Sequence, residues 1–360
     1  MNITIKTPKI KIEDFMLIGW GLLLLAWILF ALNYDNPDYL EYKAMYENGA
    51  FGINSRIEVG YVSIMRISKI LGLSFVQFRA MIAGLCLTVM LACFSQYSGR
   101  GNTAFFAYMM YPFLFDVIQI RMFIVTTIVL FAIRYLDSFS VANALKYTFC
   151  ILFATTIQVT AFLFLVLMLA YVTDCKESLK ISALLSVTGV VLLNSHTVEL
   201  AFRLLSFLGS NFVLGSRYAT FDPAFKRLMW VYYIISATII LTINIFKYCS
   251  SEDITNRRIQ QNLLYKLTYL SLLMVPLIQL GSSFGRFYRI MLPIIYCALS
   301  CNCAERSETM TTKNLIRVTC LFSIAALLFY AHIYTGSGDT YHRVLLGVVE
   351  NNYLLKGLFK

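Results

Sequence analysis

The stretch FMLIGWGLLLLAWILFAL, residues 15–32, contains no charged side chain and gives way at once to NYDNPDYLEYKAMYENG, residues 33–49, which holds four carboxylates and four tyrosines. Crossing the hydrocarbon core of a bilayer takes about 20 apolar residues in a helix. The first stretch therefore reads as a transmembrane helix and the second as the wet segment at its mouth. Lys6, Lys9 and Lys11 precede the apolar run, which is too long for a signal-peptide core and is followed by no small-residue cleavage site. The run is expected to be retained, with its amino end in the cytoplasm.

The rest of the chain extends this reading. Of its 360 residues 59% are hydrophobic and 14% charged, whereas soluble domains are about 45–50% apolar. Backbone groups in lipid must be satisfied internally, and the short alternating segments of a barrel are absent, so an all-α polytopic membrane protein is expected. Apolar runs at 14–32, 78–97, 102–116, 119–137, 144–156, 158–173, 179–195, 228–247, 265–281, 284–301 and 314–333 give about eleven candidate spans. Those at 102–116, 144–156 and 158–173 are short, which predicts that 102–173 packs around a site and not against lipid. The expected organisation is one transmembrane domain, 1–360, with an extracytoplasmic loop over 33–77, a second over 196–227 and an extracytoplasmic tail over 334–360.

A net charge of +11 would suit nucleic acid, but no basic run or nucleic-acid motif accompanies it. The nine cysteines fall in apolar runs or in loops assigned to the cytoplasm, and the Cys301–Cys303 pair has no second Cys/His pair at ligand spacing, so neither disulfides nor a metal site are expected. Lysine and arginine separate across the expected topology. Nine of 14 lysines lie inside, while ten of 16 arginines (Arg56, Arg66, Arg79, Arg121, Arg203, Arg217, Arg227, Arg286, Arg289 and Arg343) lie outside. Arginine grips phosphate with a planar fork, so its excess outside points to an anionic ligand there; lipid phosphates and loop carboxylates are the alternative partners.

Particular residues carry the chemistry. Arg121 sits within an apolar span, where a charge marks either a substrate path or a buried pair, here with Asp116. Arg286 and Arg289, three residues apart beside Phe287 and Tyr288, share one helix face and suit a diphosphate clamp; snorkelling to the interface is the alternative. Asn36 and Pro37 are an N-cap and first residue for a short helix carrying Asp38, Tyr39, Glu41 and Tyr42. Glu58, Gly60 and Tyr61 open a second helix in which Val62, Met65, Ile70 and Leu71 lie opposite Arg66 and Lys69, as in a helix along the interface. Carboxylates and tyrosines suit sugar binding, and a carboxylate here is a candidate general base; a solvated acidic loop with a tyrosine belt is the alternative. His196 and His342 are weaker candidates, the latter in a tail placed to cover the site. No phosphate-binding loop, nucleophile elbow or Asp-x-Asp motif occurs.

In order, NPDYLEYKAMY (36–46), RIEVGYVSIMRISKILG (56–72) followed by FVQFR (75–79), IQIRMFIVTTIVLFAIRYL (118–136), SRYATF (216–221) and GRFYR (285–289) resemble the EpsG family of polysaccharide polymerases, relatives of Wzy-type O-antigen polymerases. The resemblance runs from about Tyr34 to Tyr296. It implies a GT-C-like membrane fold and joining of lipid-diphosphate-linked oligosaccharide repeats on the outer face of the bacterial cytoplasmic membrane. It also implies no cofactor, a polyprenyl-diphosphate-linked donor and acceptor, and a flippase and chain-length regulator as partners. Asp38, Glu58, Arg121 and Arg289 are its implied catalytic residues; Tyr39, Tyr42, Tyr61, Gln158, Arg217, Tyr218, Arg286 and Tyr288 are its implied substrate-binding residues. Gln158 stands where such proteins often carry a histidine, and glutamine binds but does not titrate. A ligase for finished polymer or a lipid-linked oligosaccharide flippase is the alternative function.

Overall fold

The computed structural model describes residues 12–48, 58–98, 101–193, 197, 223–248, 256–281, 284–300, 312–335 and 341–355. Among them the fold is all-helical, with no strand and one isolated antiparallel bridge between Asn33 and Asn352. Four helical segments, Phe75–Tyr97, Pro223–Ile245, Gln260–Leu280 and Leu315–His332, are long and apolar enough to cross a membrane, and Leu17–Ala31, Val141–Ile157 and Val159–Val172 are shorter apolar helices. Every apolar run of the sequence coincides with a helical element, but several are broken. The run at 102–116 is interrupted at Tyr111–Pro112, and that at 158–173 is a 3₁₀-helix over most of its length.

The chain packs as two units, Met1–Leu165 with Leu299–Lys360, and Val166–Ala298. In the first, α1 (Ile12–Ala31) lies along α4 (Phe75–Tyr97) and α5 (Gly101–Met110), and α4 also packs on α7 (Ile120–Ala132), which packs on α8 (Val141–Ile157). The Trp27 indole N–H donates to the Ala80 carbonyl at 2.9 Å, and the Phe30 and Phe123 rings meet at 4.8 Å. Between these helices lie α2 (Tyr39–Asn48), α3 (Val59–Ile70) and α6 (Phe113–Ile118). The α3–α4 turn needs Gly72, whose φ of 74° lies in the left-handed region. Ser74 then starts α4 with a capping box: its hydroxyl accepts from the Gln77 N–H, and its own N–H donates to the Gln77 side chain at 2.8 Å.

Two expectations are corrected here. The helices α5, α6 and α7 are largely buried as predicted, but α8 leaves Leu145, Phe149 and Leu152 exposed, so 102–173 does not pack wholly inward. One face of α8 is enough to cover α7. Likewise Val62 and Met65 of α3 are buried against protein, and its exposed apolar residues are Val59, Ile67, Ile70 and Leu71.

In the second unit, α10 (Cys175–Leu192) packs on α12 (Asn256–Leu270) and on the 3₁₀ segments that follow it, and α11 (Pro223–Tyr248) on Pro276–Leu280. The α9 turn (Leu169–Val172) leads into α10, which is capped by Asp174 with Glu177. Ser178, Ser182 and Ser186 line its buried face at a helical repeat, letting backbones approach. Ser186 shares a hydrogen with the Tyr233 hydroxyl at 2.6 Å and donates to the Leu272 carbonyl at 2.9 Å.

The tail returns to the carboxyl end of α1. The Tyr34 N–H donates to the Asn351 carbonyl at 2.9 Å and the Tyr353 N–H to the Leu32 carbonyl at 3.0 Å. Asn33, 1% exposed, shares its amide hydrogens among the Asp35, Gly347, Val348 and Asn351 carbonyls and accepts from Asn36 at 2.7 Å. His342 is exposed, and His196 lies outside the described residues. Asn33→Ala strips these carbonyls of a buried donor, so purified protein in detergent is expected to lose about 1–3 kcal/mol of stability. Thermal unfolding reads that loss, and limited proteolysis is expected to release the segment after residue 340 first.

Candidate active site

The opening acidic segment folds because Asn36 can cap it. Its side-chain oxygen accepts from the Asp38 N–H at 3.1 Å, and its backbone carbonyl accepts from the Tyr39 N–H at 3.0 Å. From that start α2 directs Tyr39, Tyr42 and Tyr46 inward, one helical repeat apart. Tyr39 meets the Phe75 ring at 5.3 Å, Tyr46 stacks on Phe78 at 5.1 Å, and Tyr42 meets Tyr61 of α3 edge-on at 5.9 Å. The Tyr46 hydroxyl donates to the Leu73 carbonyl at 2.7 Å, and Lys69 of α3 donates to the Glu47 carbonyl at 3.0 Å near the far end of α2. The tyrosines are thus a wall bound to protein on its inner side, while Glu41 is exposed.

Glu58 stands at the N-cap position of α3 but does not cap it. One carboxylate oxygen accepts from Arg121 Nη1 at 2.6 Å, and the other accepts from the Val159 N–H at 3.0 Å. The acid bridges α3, the start of α7 and the residue after Gln158. Arg121 also points its Nε toward the Tyr42 hydroxyl at 3.4 Å and lies 6.0 Å from that ring. It is the second residue of α7, at the positive end of a helix where an arginine is electrostatically disfavoured, so its charge needs the local partner it has. Asp116, the alternative partner, instead accepts from the Tyr108 hydroxyl at 2.7 Å.

The approach of α3 to α8 depends on Gly60. A Cβ there would lie 2.7 Å from the Thr156 carbonyl oxygen and 2.8 Å from its carbon, with the Thr156 hydroxyl closer still. Only hydrogen fits. Gln158, in extended conformation, ends α8 and opens the 3₁₀-helix Val159–Met168: its N–H donates to the Ala154 carbonyl and its carbonyl accepts from the Ala161 N–H. Tyr61 is fully buried, and burial, with Tyr42 beside it, holds its hydroxyl well above the ordinary phenol range despite the counteracting Arg121 and Arg79. The hydroxyl, which has no hydrogen-bond partner among the described residues, therefore stays a neutral phenol and not a phenolate. Burial also raises Tyr39, against the lowering influence of Arg79.

The structure thus brings Tyr42, Glu58, Gly60, Tyr61 and Arg121 together, with Gln158 adjacent through Val159. Asp38 stands half-buried at the head of α2, and the carboxylate that meets Arg121 is that of Glu58. Arg286, Tyr288 and Arg289 belong to the second unit, in α13 (Gly285–Ser300), with Arg286 half-buried and Arg289 7% exposed. Tyr288 is fully buried, its hydroxyl 2.8 Å from Ser236 Oγ and its ring edge-on to Tyr232 at 4.9 Å. Arg217 and Tyr218 lie outside the described residues. Two contributors were not singled out from the sequence: the Val159 N–H, which no side-chain pattern marks, and Arg79, counted only as one outer arginine.

A model of the EpsG family matches residues 17–345 of this chain. The chain belongs to the EpsG family. That family is one of polysaccharide polymerases, and with the apolar helices it makes this chain a membrane protein of polysaccharide biosynthesis. No curated protein and no solved structure matches the chain. Within this EpsG protein, Gly60→Ala is expected to push α3 from α8 and cost about 1–3 kcal/mol, as overpacking does. Because the obstructing atoms include the Thr156 backbone, adding Thr156→Gly should not restore thermal stability measured in detergent.

Proposed function

We propose that this chain joins lipid-diphosphate-linked oligosaccharide repeats into a surface polysaccharide, O-antigen or exopolysaccharide, on the outer face of the bacterial cytoplasmic membrane. The observation that carries the reading is the Glu58–Arg121 pair at 2.6 Å, set beside the Tyr42 and Tyr61 rings. It offers, in one place, a permanent cation for a diphosphate, a carboxylate for a hydroxyl proton and aromatic edges for sugar.

In this mechanism the growing chain on polyprenyl diphosphate is the donor and the new repeat is the acceptor. A diphosphate oxygen replaces the Glu58 carboxylate on Arg121, and the released carboxylate turns to the acceptor hydroxyl. As the acceptor oxygen bonds to the anomeric carbon, the bond from that carbon to the phosphate oxygen breaks; the hydroxyl proton passes to Glu58, and polyprenyl diphosphate leaves with its new charge held by Arg121. The family resemblance further assigns Arg286 and Arg289, with Tyr288, to diphosphate binding and Arg217 and Tyr218 to sugar binding. Asp38, Tyr39 and Gln158 complete the acceptor side, Asp38 being the second carboxylate of the opening segment. A flippase and a chain-length regulator are the expected partners in the membrane.

Arg121→Ala, Arg289→Ala and Glu58→Gln are each expected to abolish long polymer in a deletion strain while single repeats remain attached to their lipid. Glu58→Gln keeps an acceptor for Val159, so protein levels should hold while turnover falls by ~10²–10⁴-fold, the usual contribution of a general base. The ladder of surface polysaccharide on a gel is the measurement. Intact long polymer in these variants would remove the residues from the mechanism, and loss of every repeat in the deletion strain would favour a flippase or ligase.

A further inference from the structure

Arg79 is the least expected charge in the first unit. It has no exposure to solvent, and its Nε and Nη1 have no hydrogen-bond partner among the described residues. Only Nη2 is engaged, donating to the Phe30 carbonyl at 2.9 Å and, more weakly, to the Val117 carbonyl at 3.5 Å. Its guanidinium carbon lies 5.3 Å from the Phe30 ring, 5.2 Å from Tyr39 and 6.0 Å from Phe75. A guanidinium buried without a carboxylate is expensive, and an apolar side chain of similar length would fill the same space at less cost. What Arg79 holds is therefore informative.

Phe30 and Val117 are in the last turns of α1 and α6, whose carbonyl ends are negative. The N–H that would continue α1 to the Phe30 carbonyl, that of Tyr34, is committed to Asn351 at 2.9 Å, so Arg79 supplies the missing donor. Val117 lies four residues before Arg121, across the break at Gln119 where α6 ends and α7 begins. Tyr39 lies three residues before Tyr42 on the buried face of α2. The contacts of Arg79 thus lead by two short paths to the two side chains that meet in the site.

We propose that Arg79 is the positioning residue of the Arg121 site: from inside α4 it ties the ends of α1 and α6 to the Tyr39 ring, and so sets Tyr42 of α2 against Arg121 of α7. It touches no substrate and acts through those two residues. Its consequence for catalysis rests on the proposed binding of a diphosphate at Arg121, but its structural role does not.

The test uses the full-length protein with Arg79→Met, which keeps the volume, and Arg79→Lys, which keeps one cationic donor. Hydrogen exchange of purified protein in detergent is expected to accelerate in Arg79→Met at 39–48 and 118–123 while the rest of the first unit keeps its protection. In a reconstituted polymerisation assay the KM for the lipid-linked repeat should rise by ~10–100-fold, the scale of a small misplacement at a binding group, with kcat changing far less and Arg79→Lys recovering part of the loss. Farnesyl diphosphate should raise the melting temperature of wild type more than that of Arg79→Met. Wild-type exchange at both segments, exchange that rises everywhere, or failure of both variants to accumulate in membranes would overturn the proposal. If farnesyl diphosphate does not shift wild type, the diphosphate reading fails by itself, and the exchange data still decide the role of Arg79.

Discussion

A charge placed among apolar helices is tolerated only with a counter-charge or dipole within hydrogen-bond reach, and in the first unit this constraint organises everything around Glu58. Its two oxygens have different clients, the Arg121 guanidinium and the Val159 N–H. Removing either contact would leave a polar group of a nearly enclosed site without its partner. The carboxylate sits outside the helix it begins, so three segments distant in sequence are fixed by one side chain. The steric counterpart is Gly60, which lets α3 come close enough to α8 for the second of these bonds to form.

The same physics, with weaker groups, holds the remainder together. The tail is held by Asn33 and Asn352 through backbone carbonyls, and the second unit by hydroxyls such as Ser186, Tyr233, Ser236 and Tyr288 that reach across helices. Between apolar surfaces in lipid, hydrogen bonds and close approach at small residues are what give helix packing its specificity. Around the site the interior is instead aromatic. Tyr39, Tyr42, Tyr46, Tyr61, Phe75 and Phe78 form one continuous set of ring contacts. Such a wall gives the site a rigid, buried backing.

Much of this was legible in the residues. The helical character of each apolar run, the capped start of α2 at Asn36 and the cost of Arg121 follow from hydropathy, cap chemistry and the price of intramembrane charge, while the grouping of Tyr42, Glu58, Tyr61 and Arg121 came from the family resemblance. What the residues did not disclose is partnership. Asp116, five residues before Arg121, was the mate that the local sequence offered, but its carboxylate accepts from the Tyr108 hydroxyl, and Glu58, 63 residues before Arg121, pairs with the guanidinium. Nor did α3 show which of its apolar residues face protein, because Val62, Met65, Ile67 and Ile70 are all apolar enough to be buried and lie around the helix on more than one face.

By itself the sequence determined that the backbone would be helical and which side chains were too costly to be incidental, because those properties are set by local hydropathy and hydrogen-bonding capacity. Only the tertiary structure decided that Glu58 would neutralise Arg121, that Val159 would offer a backbone donor to it, and that Arg79 would be sealed within α4 and not face an anion outside. These depend on distances between segments far apart in the chain, and on close approaches such as that of Gly60 to Thr156, which no local pattern encodes.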